Sequence, residues 1–310
     1  MAIRRVPGGQ KLKNTCLCLG NFDGIHRGHQ AILDACLSEA ARNELTDVAW
    51  TFARHPEKYF PGHAGDSILS PEDKAELLEE RGVSTLVEED FTRVRDLSPA
   101  AFCRDVLLGE LDAKEVICGF NFRFGKNGAG TPEDLRREME AAGAQVLIVP
   151  PVLWKNEPIS STRVRAALKD GRPEDAEAML GRPYFIRFPV AGGNRLGRKM
   201  GFPTINQIYP ADYVIPRRGV YAVQAVIEGK CYDGVCNVGR RPTVEENGVD
   251  TAETHLFDFS GNLYGLVATV RFCAFLRPET RFENMDALRD QIGRDTRRAK
   301  EILTARRNRI

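Results

Sequence analysis

At 310 residues, 42% hydrophobic and 28% charged, the sequence has the makeup of a soluble globular protein with room for two domains. Its formal net charge of +1 supplies no global attraction for nucleic acid or an anionic membrane, and no apolar run reaches the length of a membrane span. Met1 to Gln10 lacks the apolar core of a signal peptide, and the eight scattered cysteines form no C-x-x-C pair, so buried free thiols in a reducing cytoplasm are expected.

In chain order, Thr15 to Leu19 reads as a buried strand, and Gln30 to Ala41, with Ile32, Leu33, Cys36 and Ala40, as a helix packed on a sheet. Between them lies Gly20-Asn-Phe-Asp-Gly-Ile-His-Arg-Gly-His29. A strand, a glycine-bearing turn and a helix point backbone N–H groups and a helix N-terminus at an anion. His26 and His29 are spaced so that both rings face one point, and Gly28 leaves room for a phosphate near the backbone. Two histidines alone fit a solvated turn equally well. Their coincidence with the strand, Gly20, Phe22 and Asp23 favours a nucleotide site.

Strand and helix signals then alternate. Val48 to Phe52 reads as a strand, followed by Ala53-Arg-His-Pro56; Ser70 caps a helix with Pro71 at its first position and Gly82 at its end. Strands follow at Thr85–Val87, Glu115–Gly119 and Gln145–Val149, with helices opening at Ser98 and Thr131. Such repeated units imply a parallel sheet covered by helices on both faces, with ligands at the carboxyl ends of its strands. One of those ends is Gly119-Phe-Asn-Phe-Arg-Phe-Gly-Lys126, where Asn121, Phe122 and Phe124 belong to an aromatic run that suits either ring stacking or core packing. It is not a P-loop, because Lys126 is followed by Asn127 rather than Ser or Thr. Ile159-Ser-Ser-Thr-Arg-Val-Arg165 opens a helix whose Ser161, Thr162 and Arg165 form either a second anion site or an ordinary cap.

The texture changes near Leu180-Gly-Arg-Pro-Tyr184, which places a boundary between domains 1–180 and 181–310. Beyond it, short β runs at 185–190, 219–227, 232–238, 254–259 and 266–275 read as an antiparallel barrel or sandwich, closed by a helix over Met285 to Ala305. The glycine-rich basic stretch from Gly192 to Asn206 offers backbone donors and cations to phosphate at Gly193, Gly197, Arg198 and Gly201. Thr204 and Asn206 share a face if that segment is extended, and both would then aim oxygens at one Mg²⁺. A surface hairpin explains the glycine loop about as well.

These stretches carry a resemblance. Residues 20–29 resemble the signature of the HxGH nucleotidyltransferase superfamily and, in longer form, that of bacterial bifunctional riboflavin kinase/FAD synthetases. Thr51-Phe52-x-x-His55-Pro56, GFNFRFGK and ISSTRVR are similar to its other adenylyltransferase motifs; GxxxGRxxGFPTxN, Pro216-x-x-Gly-Val-Tyr221, Asn237-Val-Gly-x-Arg-Pro-Thr243 and Glu253-Thr-His-Leu-Phe-Asp-Phe259 are similar to its kinase motifs. The resemblance implies a Rossmann-like α/β nucleotidyltransferase domain and a β-barrel kinase domain with a terminal helix. It implies ATP as co-substrate, Mg²⁺, and FMN and FAD as products. Glu253 is implied as the kinase base, His26 and His29 as stabilisers of adenylyl transfer, and Phe52, His55, Pro56, Asn121, Phe122 and Phe124 as flavin contacts. Arg54, Ala191 and Ile205 depart from common family residues and leave Thr204 and Asn206 in place.

Two other readings use the same residues. A different nucleotidyltransferase with a non-catalytic β module has no need of Thr204, Asn206 and Glu253 together. An RNA-binding or flavin-sensing protein would use the basic last helix, yet Asp286, Asp290, Asp295 and Glu301 make its face mixed in charge. The expectation is therefore a cytoplasmic enzyme of small-molecule substrates, without nucleic-acid or membrane partners and with no pattern that specifies an oligomeric state.

Overall fold

Five consecutive buried residues, Thr15–Leu19, form strand β2. Alternation along it splits the core: Leu17 and Leu19 join a cluster with Trp50, Val106, Leu135 and Met139, while Cys16 packs on Cys36 of the following helix. The computed structural model describes residues 2–59, 66–191, 204–241, 248–259, 261 and 263–308. They fall into two compact units, Met1–Ser161 and Thr162–Ile310.

The first unit is built on a six-stranded parallel sheet. β2 is flanked on one side by β3 (Thr46–Phe52), β4 (Thr85–Glu89) and β1 (Arg4–Pro7), and on the other by β5 (Ala113–Gly119) and β6 (Gln145–Val149), in the order β1-β4-β3-β2-β5-β6. The chain reverses direction across the sheet between β2 and β5, so the ends of these two strands bound the crevice where parallel sheets bind ligands. Helix α1 (Arg27–Arg42) follows β2, and α2 (Pro71–Glu80) follows β3 with Ser70 as its N-cap. Short helices α3 (Phe91–Val94) and α4 (Pro99–Ala101) precede a π-helical stretch, Phe102–Glu110. Helix α5 (Pro132–Ala141) starts with a full capping box between Thr131 and Asp134. A two-residue-per-arm hairpin, β7 (Leu153–Trp154) with β8 (Glu157–Pro158), turns at Lys155 and Asn156, both at positive φ.

The second unit contains α6 (Ser161–Lys169) from Thr162 onward and α7 (Pro173–Leu180), then one antiparallel sheet. Its strands are β9 (Tyr184–Pro189), β10 (Thr204–Ile208), β11 (Gly219–Ile227), β12 (Lys230–Arg241), β13 (Val249–Leu256) and β14 (Val267–Pro278), in the order β10-β13-β12-β11-β14-β9. The sheet curls until its two edges meet at a bridge where Ala191 N–H donates to the Asn206 carbonyl at 2.8 Å. Gln207, fully buried, reinforces the closure by donating from Nε2 to the carbonyls of Phe188 and Ala268 at 2.8 and 2.7 Å. Tyr184, Tyr221 and Phe272 fill the interior. Helix α8 (Met285–Arg307) packs Ala299 and Leu303 on the outer face of β11, β12 and β14. Arg277 fixes it there through both carboxylate oxygens of Asp295, at 3.0 and 3.1 Å.

All eight cysteines are free, and only Cys231 is exposed. Burial pushes the Cys118 thiol up to about 12 and that of Cys273 to about 11, so both stay protonated.

Candidate active sites

In the first unit the 20–29 turn is held from below. Phe22, Gly24 and Ile25 take positive φ, which lets the chain double back between β2 and α1. Phe22 is fully buried, so it supports the turn, its ring meeting His29 edge-on at 5.3 Å. A Cβ at Gly20 would press on that ring at 3.2 Å. The buried Asp23 carboxylate accepts from the N–H groups of Ile68 (2.9 Å) and Leu69 (3.3 Å), tying the turn to the segment that leads into α2. Asp23 also gives its backbone carbonyl to Ser161 Oγ at 2.8 Å, so the last residue of this unit is fastened to the turn. Thr162, exposed, and Arg165 stand further along the same helix and belong to the second unit.

His26 is the N-cap of α1. Its Nδ1 accepts from His29 N–H at 3.2 Å, and the two rings stack at 3.7 Å with planes 14° apart. A neutral His26 therefore carries its proton on Nε2. Gly28 leaves the stack undisturbed, since a Cβ there would press on His26 Cε1 at 3.1 Å. His29 keeps some accessible surface, while its Nδ1 is enclosed with no partner among the described residues. Burial above all, then the nearby charges of His26 and Lys74, hold its imidazole well below the usual value, so His29 is neutral near pH 7. A neutral His29 ring stacked on His26 at the positive end of a 16-residue helix thus forms a platform for an anion.

Lys74 is a part of this site that the sequence did not announce. It is 9% exposed, and its Nζ donates to Thr51 Oγ1 at 3.2 Å and to the Phe52 carbonyl at 3.1 Å. Burial lowers its pKa from 10.5 to about 8, although Asp23 and Glu88 oppose the shift. The available signal was its place beside Ala75 and Leu78 on the apolar stripe of α2, where a lysine is out of pattern.

The expected flavin contacts divide. Phe52 packs against Trp50 and Phe91, with ring centroids at 4.9 and 5.4 Å. His55 Nδ1 accepts from Glu57 N–H at 3.3 Å, and Pro56 opens a short helical turn, Pro56–Tyr59. After β5, Asn121 is exposed and Phe122 half-buried, whereas Phe124 is a core residue against Phe102. Phe120, 42% exposed, is the ring of this run most open to a ligand.

In the second unit, register assembles the site. Asn206 of β10 lies opposite Glu253 of β13, which lies opposite Asn237 of β12; Thr204 lies opposite His255. Cross-strand partners point to one face, so Thr204, Asn206, Glu253, His255 and Asn237 share the outer face, beside the region that α8 covers further along β11 and β12. Asn237 is a neighbour of Glu253 that the motif alone did not single out. Gly193, Gly197, Arg198 and Gly201 lie outside the described residues. Among the described residues no cluster of His, Cys, Asp or Glu could hold a metal ion; the hydroxyl and amide oxygens of Thr204 and Asn206 remain as hard donors.

Comparison with known proteins agrees with this layout. A family model described as FAD synthetase matches residues 9–163, and one described as riboflavin kinase matches 180–303. A bifunctional riboflavin kinase/FMN adenylyltransferase of Bacillus subtilis is 34% identical over 91% of this chain and 90% of its own length. The protein of that name from Haemophilus influenzae is 36% identical over 95% and 96%. A solved structure described as a macrolide-efflux protein from Streptococcus pneumoniae superposes with a TM-score of 0.87 at 31% identity, covering 96% of this chain and 99% of that one. Among the described residues, no helix is long and apolar enough to cross a membrane. With both family models in order and relatives matched over nearly their whole length, the chain belongs to the family of bifunctional riboflavin kinase/FMN adenylyltransferases.

Proposed function

We infer that the protein phosphorylates riboflavin to FMN with ATP and then adenylylates FMN to FAD with a second ATP, releasing pyrophosphate. The observation that carries the second step is the stacked His26–His29 pair at the N-terminus of α1, beside the sheet's switch point. There the FMN phosphate attacks the α-phosphate of ATP. His26 Nε2–H, His29, the α1 backbone donors and the Ser161–Thr162 helix start with Arg165 meet the charge that grows on the transferring group. Gly20, Phe22, Asp23 and Gly28 set the shape of that turn, and Phe52, His55, Pro56, Asn121 and Phe122 flank the flavin, with Phe124 acting from the core.

For the first step, the 5′-hydroxyl of riboflavin attacks the γ-phosphate of ATP. Glu253 orients that hydroxyl and takes its proton late, since a carboxylate of reference pKa about 4.3 is a weak base toward an alcohol. Thr204 and Asn206 offer oxygens on one face next to Glu253, a donor set that fits Mg²⁺. When bound there, Mg²⁺ neutralises phosphate charge on ATP. Gly193, Gly197, Arg198 and Gly201 would wrap the phosphates. We assign the adenylyltransferase to the N-terminal part of the chain and the kinase to the C-terminal part that includes 181–310, in a cytoplasmic enzyme.

The test is product chromatography with riboflavin, ATP and Mg²⁺ for three proteins. Wild type is expected to make FMN and FAD, His29→Ala to make FMN and almost no FAD, and Glu253→Gln to adenylylate supplied FMN while phosphorylating riboflavin roughly 10²-fold more slowly. Loss of both activities in a folded single variant would replace the two-site reading by one shared site.

A further inference from the structure

Of the two stacked rings nearest the reacting phosphates, His26 and His29, the latter is not charged near pH 7. Within the first unit, a cation that stays in place when substrates leave is Lys74. Two of its three N–H donors are used, by Thr51 Oγ1 and the Phe52 carbonyl. Thr51 Oγ1 in turn donates to the Asn21 carbonyl at 3.0 Å, so the ammonium is one hydrogen bond removed from the backbone of the 20–29 turn. Asp23 fixes the opposite side of that turn to the residues just before α2, the helix that carries Lys74. Helix α2, the end of β3 and the histidine turn are therefore cross-linked around one buried charge.

A lysine buried for stability alone is a poor choice, because a methionine of similar volume fills such a place without the desolvation cost. We propose that Lys74 is a positioning residue of adenylyl transfer, a fixed cation beneath the 20–29 turn that holds Asn21 through Thr51 and offsets phosphate charge beside His26 and His29. This rests on the assignment of residues 20–29 to the adenylyl-transfer site. The groups that face Lys74 are Asp23 from the turn, Glu88 from β4, Arg5 from β1, Lys58 from the Pro56–Tyr59 turn and His29 from α1. Arg5 and Glu88 are already paired at 2.8 Å, which leaves Asp23 as the main counter-charge. Asp23 meanwhile spends its oxygens on two backbone N–H groups. Positive charge at Lys74 is thus incompletely cancelled by protein, as a site for anionic substrates requires.

The experiment compares FMN adenylylation by full-length wild type, Lys74→Met, Lys74→Arg and His29→Ala, with riboflavin phosphorylation and thermal melting as checks on folding. Wild-type kcat/KM is expected to fall above about pH 8, where Lys74 loses its proton. Lys74→Met is expected to lower kcat about 10-fold or more, to change the KM for FMN little, and to lack that alkaline limb. Lys74→Arg is expected to restore most of kcat and to stay active to about pH 10, since a guanidinium remains charged. A wild-type kcat in Lys74→Met, or an alkaline limb unmoved in Lys74→Arg, would overturn the inference. Should Lys74→Met fail to fold, the limb in Lys74→Arg decides alone. If His29→Ala adenylylates FMN normally, the site assignment itself fails, which is a different outcome.

Discussion

At Gly28 a Cβ would stand 3.1 Å from Cε1 and 3.2 Å from Nδ1 of His26, so the ring must give by a few tenths of an ångström to admit it. The backbone there is ordinary, so Gly28→Ala adds no strain of its own. Its methyl group instead pushes the His26 ring off the stack and lengthens the bond from His29 N–H to His26 Nδ1. FAD formation should drop about 10-fold or more in Gly28→Ala while FMN formation continues, as steady-state rates of the two half-reactions will show. Lys74 offers a second prediction, in which stability and activity part company. Its pKa falls from 10.5 in the unfolded chain to about 8 in the folded protein. Between these values the unfolded state binds more protons, so stability rises with pH across that window, and below it the cost of burying the charge is present in full. The interval corresponds to about 3 kcal/mol. Both tryptophans, Trp50 and Trp154, lie in the first unit, so their fluorescence follows its unfolding in urea. Wild type should gain up to about 3 kcal/mol relative to Lys74→Met between about pH 7 and pH 10. Equal pH profiles would mean that the ammonium is not buried as described.

At the scale of the element, the kinase site is a property of register. Asn206, Glu253 and Asn237 stand in one row across β10, β13 and β12, and a slip of one residue in any strand would turn its member of the row inward. Asn237→Ala removes a polar neighbour of Glu253 and should slow riboflavin phosphorylation about 10-fold with little change in ATP affinity. Thr204→Ala and Asn206→Ala should instead weaken ATP binding and raise the Mg²⁺ needed for half-maximal rate, because each deletes an oxygen suited to a hard cation. A Mg²⁺ titration of all three variants separates the two effects, and adenylylation of FMN serves as the internal control. Much of this was legible in the sequence. The turn between β2 and α1, the Ser70 and Thr131 caps and the bounds of β2, β6 and β11 follow from periodicity and capping chemistry. What escaped did so for physical reasons. Strand β1 reads Arg-Arg-Val-Pro and buries only Val6, so no alternation shows. Strand β10 hides because two of its three buried residues are Asn206 and Gln207, which face inward or into the site only because the barrel closes around them. Strand Lys230–Arg241 and helix Met285–Arg307 run longer than their apolar cores suggested. Lys74 escaped for the same kind of reason, since a lysine reads as a solvated residue until tertiary contacts enclose it.

For the whole molecule, the question is where one catalytic unit ends and the other begins. The change of texture at 180 and the start of the riboflavin kinase match at that residue both suggest a cut there. Packing argues for an earlier one. Helix α7 buries Ala176, Met179 and Leu180 and lies against β9 and β14. Glu177 forms an ion pair with Arg306 of α8, and the carbonyl of Leu168, in α6, accepts from Arg217 N–H at 2.9 Å. A fragment that starts at 181 exposes the apolar surface that α7 covers, at a cost of about 1.5–3 kcal/mol for each large side chain lost from the contact. A fragment that starts at 162 keeps α6, α7 and these bonds. We therefore expect 162–310 to fold, to phosphorylate riboflavin at close to the full-length rate, and to make no FAD. The 181–310 fragment should melt at least about 5 °C lower, and any activity it keeps should fade first on warming. Melting curves and FMN formation on the two fragments decide the matter. If both melt alike, α7 belongs to the connection rather than to the kinase unit. If 162–310 folds yet leaves riboflavin untouched, the kinase site draws on residues before Thr162 and the two activities are not separable.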